Sequence, residues 1–301
     1  MAEIIGGIGT SHVPTIGVAY DRKKQETPPW KPLFDGYKPI AKWLADRKPD
    51  VLIFFYNDHM NGFFSDLFPT FAIGVGQEYE GADEGSGRRA LPPIKGHPDL
   101  AAHLTESLVN DEFDIATFQE RAIDHGLLSP LPLLWPSQPD WPAAIIPIQV
   151  NVVQFPLPTP MRCFKLGRAI RKAVHDYPGN LRVAVVGTGG LSHQLHGERT
   201  GYNNTEWDAE FIDLLERRPE KLASMRHADY IRLGGAESVE VIMWLAMRGA
   251  LADTVNRLHQ NYYLATTTGM AVALFEEPAP GHPDILGHAA ASSAVHAGAS
   301  Q

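Results

Sequence analysis

Residues Val51–Tyr56 read VLIFFY, six apolar or aromatic residues in a row between Pro49-Asp50 and Asn57-Asp58. A strand with one wet face alternates apolar and polar side chains. An unbroken apolar run of strand length therefore belongs to a sheet covered on both faces, as parallel sheets are. Covering both faces takes helices above and below the sheet, which is α/β layering. The rest of the chain keeps to that pattern. Apolar strand patterns are expected at 3–9, 70–75, 115–118, 144–153, 182–186, 261–268 and 270–275. Helical spacing is expected at 37–47, 99–109, 161–175, 205–216 and 237–248. The polar, Pro-rich and aromatic stretch 20–38 reads as a surface loop, 77–95 as a long loop, and 127–135 as a Pro-interrupted apolar segment. No linker divides the chain. The expectation is a single α/β domain over residues 1–278, with a central mixed sheet flanked by helices on both faces. A flexible Ala-, Gly-, Ser- and His-rich tail is expected at 279–301.

Composition narrows the partners. Of 301 residues, 44% are hydrophobic and 20% charged, which excludes a disordered or coiled-coil chain. The net charge of −9 and the lack of a basic stripe argue against nucleic acid. One cysteine, Cys163, permits neither an internal disulfide nor a cysteine zinc site. The N-terminus lacks the pattern of a signal peptide, and no apolar run reaches membrane-spanning length. A soluble cytoplasmic protein is the expectation.

Thirteen histidines are present, and four share one context. His12, His59 and His193 follow expected strands, and His125 follows the short strand at 115–118 through a brief loop. Sites in open α/β sheets form outside the carboxyl ends of strands. Glu240 is sharper, because its helix is apolar nearly all round and so buried. A carboxylate there needs a cation, a strong set of hydrogen bonds or a proton. A salt bridge to Arg248 or Lys221 would serve, and so would a metal. Two histidines with one carboxylate on a face of a metal leave positions open for substrate and oxygen, the ligand pattern of non-haem Fe(II) oxygenases. The same donors suit Zn(II) and Mn(II). The HExxH helix, the G-x-S-x-G elbow and the G-x-G-x-x-G fingerprint are absent, and Gly187-Thr188-Gly189-Gly190 lacks the lysine of a phosphate loop.

Taken together, several motifs resemble one family. They are Ser11-His12-Val13-Pro14, Tyr56-Asn57-Asp58-His59, Asp124-His125-Gly126, Gly187 through Leu195, and Glu240 with Met243-Trp244. In this order they resemble the class III extradiol ring-cleavage dioxygenases, and within these the catalytic β subunits of protocatechuate 4,5-dioxygenases. Ala82-Asp83-Glu84-Gly85, the stretch from Lys95 to Leu100, and Val150-Asn151-Val152-Val153 add to the likeness. The resemblance runs from about His12 to about Phe275.

It implies Fe(II) held by His12, His59 and Glu240, with His193 as the acid–base residue and His125 as a second active-site histidine. It places Thr267 at the substrate carboxylate. The implied reaction is extradiol cleavage of a carboxylated catechol by O2, with protocatechuate giving 4-carboxy-2-hydroxymuconate-6-semialdehyde. Gallate and 3-O-methylgallate are the alternative substrates. The resemblance also implies a separate small helical α subunit in an α2β2 assembly, since this chain carries no covering segment of its own. Rival readings of the same residues are a zinc hydrolase and a non-catalytic binding protein. Asn57 and Asp58 are candidates to orient the ligands, or simply a turn at a strand end.

Overall fold

In a computed structural model the run Val51–Tyr56 is a strand with every side chain buried. Its side chains divide by parity. Val51, Ile53 and Phe55 enter one apolar cluster, and Leu52, Phe54 and Tyr56 enter another on the opposite face. This is the two-faced burial that the apolar run demands. The structure describes residues 1–136 and 140–277, so the tail expected at 279–301 lies outside the described residues.

In chain order the elements are β1 (Glu3–Thr10), α1 (Pro14–Asp21), α2 (Lys31–Arg47), β2 (Val51–Tyr56), β3 (Phe71–Gly74), β4 (Glu78–Tyr79) and β5 (Ile94–Lys95). Then come α3 (Pro98–Asn110), β6 (Ala116–Phe118), α4 (His125–Leu128), α5 (Leu131–Leu134), β7 (Ala144–Val150), α6 (Pro160–Asp176) and β8 (Arg182–Thr188). The remainder is α7 (Thr205–Arg217), α8 (Pro219–Ala223), α9 (His227–Gly234), a 3-10 turn (Glu237–Val241), α10 (Ile242–Gly249), β9 (Asn256–Tyr263) and β10 (Met270–Glu276).

Eight strands form one mixed sheet in the order β6-β3-β7-β2-β8-β1-β10-β9. Strands β7, β2, β8 and β1 run parallel at its centre, and β10 and β9 add antiparallel at one side. Helices α3, α6, α7, α8 and α10 bury one face, and α1, α2, α4 and α5 the other. Three adjacent parallel strands, β2, β8 and β1, thus deliver their carboxyl ends to one place.

Several expectations are corrected. The stretch 20–38 is not a surface loop, because α2 begins at Lys31 and buries Leu33, Phe34 and Tyr37. Pro32 sits in the first turn, where a missing N–H costs nothing, so it opens the helix instead of breaking it. The strand expected at 261–268 lies earlier, at Asn256–Tyr263, paired antiparallel to β10. The long loop 77–95 contains the small pair β4–β5. The expected helix 237–248 is a 3-10 turn followed by α10. Helices α1, α8 and α9 were not read from the sequence, each being eight residues or fewer.

Candidate metal centre

β1 ends at Thr10, and the chain passes through Ser11, whose N–H donates to the Ala271 carbonyl, to the buried His12. The adjacent parallel strand β8 ends in register at Thr188. Its hydroxyl lies 2.9 Å from His12 Nδ1. With Nδ1 engaged by Thr188, Nε2 of His12 is left facing Glu240 Oε2 at 3.2 Å.

Glu240 reaches this point because the chain is tight around it. A Cβ on Gly189, at φ +134, would lie 2.9 Å from the Glu240 carbonyl oxygen. Only a glycine takes that backbone shape without strain. The next residue, Gly190, donates its N–H to Glu240 Oε1. The 3-10 turn places Glu240 ahead of α10, whose Trp244 and Met247 press on the glycines of β1 and β8. The salt bridges weighed for Glu240 are not formed. Lys221 pairs with Glu210, and Arg248 donates to the carbonyls of Leu215, Ala252 and Asp253.

His59 lies past the end of β2. Asp124 accepts from its main-chain N–H at 2.6 Å and from Nδ1 at 3.1 Å. A carboxylate on Nδ1 directs the Nε2 lone pair outward, the arrangement usual for a metal-binding histidine. Asn57 Nδ2 lies 3.0 Å from that Nε2, so Asn57 does touch a candidate ligand. Asp58 does not. Its carboxylate accepts from the main-chain N–H groups of Asn61, Gly62 and Phe63, a turn at the strand end. The sequence reading assigned Asp124 no role of its own, although the Asp-His-Gly motif contained it.

One donor atom each from His12, His59 and Glu240 lie within 4.8 Å of one another. A small side-chain adjustment closes that spacing on an ion bonded at roughly 2.0–2.2 Å. The Thr188 hydroxyl can accept from or donate to Nδ1, so Nε2 of His12 can face Glu240 Oε2 either through a proton of its own or, once that proton leaves, through a shared cation. The donor set therefore fits a divalent metal. The electrostatics agree. Burial lowers the pKa of His12, favouring the neutral ligand form. Burial opposes the charge of Glu240, yet the histidines around it hold its pKa at about 2. The same balance, with His59 as the main partner, depresses Asp124 well below the usual carboxylate range; at His59 burial opposes the charge but Asp124 outweighs it and raises the pKa, so a metal there has a proton to displace.

The two remaining histidines border the cluster. His193 Nδ1 bonds to the Leu191 carbonyl at 2.7 Å, and its Nε2 lies 3.8 Å from Glu240 Oε1. The ring of His125 stacks on His59 at 3.9 Å and stands 5.9 Å from His12. Thr267 is exposed, and its carbonyl accepts from Asn203. Its neighbour Thr268 is buried and bridges to the His193 backbone. All four strand-following histidines and Glu240 are thus brought together, with Thr267 at the exposed margin.

Comparison with known proteins agrees with this geometry. The family described as the catalytic LigB subunit of aromatic ring-opening dioxygenase matches residues 6–275. A gallate dioxygenase of Pseudomonas putida is 52% identical over 204 residues, covering 66% of this chain and 60% of that protein. A 2,3-dihydroxyphenylpropionate/2,3-dihydroxicinnamic acid 1,2-dioxygenase of Photorhabdus laumondii is 34% identical over 187 residues, covering 62% of this chain and 55% of that enzyme. The chain thus spans less than two thirds of the length of these two relatives. A 2,3-dihydroxyphenylpropionate/2,3-dihydroxicinnamic acid 1,2-dioxygenase 2 of Pseudomonas putida is 30% identical over 80% of this chain and 88% of its own. In fold, an uncharacterized protein from Escherichia coli K12 superposes with a TM-score of 0.51 at 13% identity, covering 89% of this chain and 99% of that one. With a match that runs through every residue of the cluster, this chain belongs to the family of catalytic LigB subunits of aromatic ring-opening dioxygenases.

Proposed function

We propose that the chain carries the catalytic centre of an Fe(II)-dependent extradiol dioxygenase acting on a carboxylated catechol, with gallate ahead of protocatechuate. The observation that carries the reading is the buried cluster of two imidazoles and one carboxylate, with the free Nε2 of His193 beside it. The 52% identity to a gallate dioxygenase supports gallate, and it reverses the order in which the sequence alone placed the two substrates.

His12, His59 and Glu240 would hold the iron. When bound, it supplies Lewis acidity toward the ring oxygens of the substrate and the redox capacity that oxygen chemistry needs. The chain's own residues do the rest. The protein walls hold the ring in one orientation, and this positioning lowers the barrier. His193 keeps its Nδ1–H on the Leu191 carbonyl, so Nε2 is the atom that takes the catechol proton and later returns one. The ring C–C bond beside the two hydroxyls breaks, and both atoms of O2 end in the ring-opened product. The exposed Thr267, next in the chain to Thr268 that bridges His193, is assigned to the substrate carboxylate, and a small helical subunit to covering the site.

The test is oxygen uptake by protein loaded with Fe(II) without air, given gallate or protocatechuate, with and without a candidate small subunit. Uptake matched by ring-opened product, faster with gallate, is expected. Bound iron with no uptake under any condition rejects the reading, and ester turnover with zinc would replace it by a hydrolase.

A further inference from the structure

The segment 77–95, a long loop by sequence, is fastened at both ends. Ile123 N–H donates to the Glu80 carbonyl at 2.9 Å, and Ala82 N–H donates to the Ile123 carbonyl at 2.8 Å. Arg89 grips Asp21 with two nitrogens, at 2.7 and 2.9 Å, and also donates to the Leu128 carbonyl. Between these anchors Asp83 Oδ1 accepts from the N–H groups of Gly85 and Gly87, each at 2.9 Å. Both glycines have positive φ, +94 and +87, so this is a shaped turn. It aims Glu84 at His125. Glu84 Oε1 accepts from the His125 main-chain N–H at 2.9 Å, and Oε2 bonds to Nδ1 of the same residue.

One carboxylate thus holds a residue at two points, backbone and ring. A carboxylate accepts only, so Nδ1 carries a proton, and in the neutral ring Nε2 keeps its lone pair. The ring so held stacks on His59 and stands near His12, at the edge of the metal cluster. Asp124 holds His59 in the same manner, so each of the two stacked rings has a carboxylate of its own.

We propose that Glu84 is a positioning residue: its two-point grip on the backbone N–H and Nδ1–H of His125 fixes that ring as the Nδ1-protonated tautomer, leaving Nε2 as the unprotonated nitrogen of a ring at the edge of the metal cluster. The strap 80–91 is then part of the active-site wall. The consequence for turnover rests on the dioxygenase reading; the tautomer does not.

The experiment compares wild type with Glu84→Ala and Glu84→Gln. In metal-free protein carrying 15N-histidine, long-range proton–nitrogen correlation reads which nitrogen of His125 holds the proton, with His125→Ala supplying the assignment. Nδ1–H is expected in wild type. Glu84→Ala should move the proton toward Nε2. Glu84→Gln has one acceptor oxygen for two donors and should fall between, and being near-isosteric it keeps the test open if the alanine variant folds poorly. After Fe(II) loading, metal stoichiometry should be unchanged, kcat should fall by roughly 10–100-fold, and KM should move by no more than about twofold, the scale expected for a group that orients an active-site histidine. An unchanged tautomer in both variants overturns the proposal, and so does an unchanged kcat beside active wild type. If wild type itself takes up no oxygen, the functional reading fails while the tautomer still decides the role of Glu84.

Discussion

His12 Nε2 meets Glu240 Oε2 across 228 residues of chain, and that contact holds the residue-scale argument. The proposed ligands and the proposed proton carrier are separable. His12→Ala, His59→Ala and Glu240→Ala should each abolish stoichiometric iron, read by metal analysis after gel filtration. His193→Ala should retain iron and lose turnover, since its Nδ1 is committed to a carbonyl and its Nε2 lies outside bonding range of the cluster's carboxylate at 3.8 Å. Loss of iron in the His193 variant would break this division of roles. Acid sensitivity follows from the depressed carboxyl. The pKa of Glu240 falls from an ordinary 4.5 to about 2 on folding. Its stabilisation is therefore fully present above pH 4.5 and is lost as the pH drops toward 2. Urea unfolding of metal-free protein should show stability falling over that window, with a shallower fall in Glu240→Gln. Histidines and Glu240 stand out in the sequence because of where they sit. Thr188, Asp124 and Glu84 lie inside motifs that the sequence singles out, yet their roles do not show, because a single hydrogen bond to a distant ring leaves no local pattern.

At the scale of elements, the close approach of α10 to the sheet decides whether Glu240 arrives at all. Gly187 on β8 would place a Cβ 2.6 Å from the Met243 carbonyl oxygen and 2.9 Å from Trp244 Cα. Both are backbone atoms and neither can swing aside. Gly187→Ala should thus push α10 outward, cost about 1–3 kcal/mol by overpacking, and weaken iron binding as Glu240 withdraws. Denaturant midpoint and metal titration read the two effects separately. An alanine variant with wild-type stability and affinity would show that the helix seats elsewhere. Strong local patterns were legible here, namely the apolar run of β2, β8, and the amphipathic α6. The short helices α1, α8 and α9 were not, since so few turns leave little periodicity to read. Pro28, Pro29 and Pro32 made the start of α2 look like loop, although burial of Leu33, Phe34 and Tyr37 against the sheet favours helix.

Over the whole molecule, the three candidate ligands come from three places in the chain, past β1, past β2 and ahead of α10. A metal that binds them bridges segments which separate on unfolding, so it should stabilise the fold by mass action, by about 2.7 kcal/mol at 100 times Kd. Mn(II), a redox-quiet probe for the same donors, should raise Tm in wild type and leave it unmoved in Glu240→Ala. An equal rise in both would place the ion elsewhere. Among the described residues, no helix is long and apolar enough to cross a membrane.

The order of apolar runs and helical stripes determined the α/β class by itself, because burial on both faces of a strand is written in consecutive residues. It also marked the histidines after the strands and a carboxylate in an apolar helix, since polar groups in such company need a reason. Only the tertiary structure decided which groups meet. The strand order sets β2, β8 and β1 side by side, and glycine contacts draw Glu240 between His12 and His193. Asp124 and Glu84 then hold the proton on Nδ1 of their rings, and Thr188 fixes the orientation of His12. Those are distances between residues far apart in the chain, and they exist only once the sheet has brought its strand ends together.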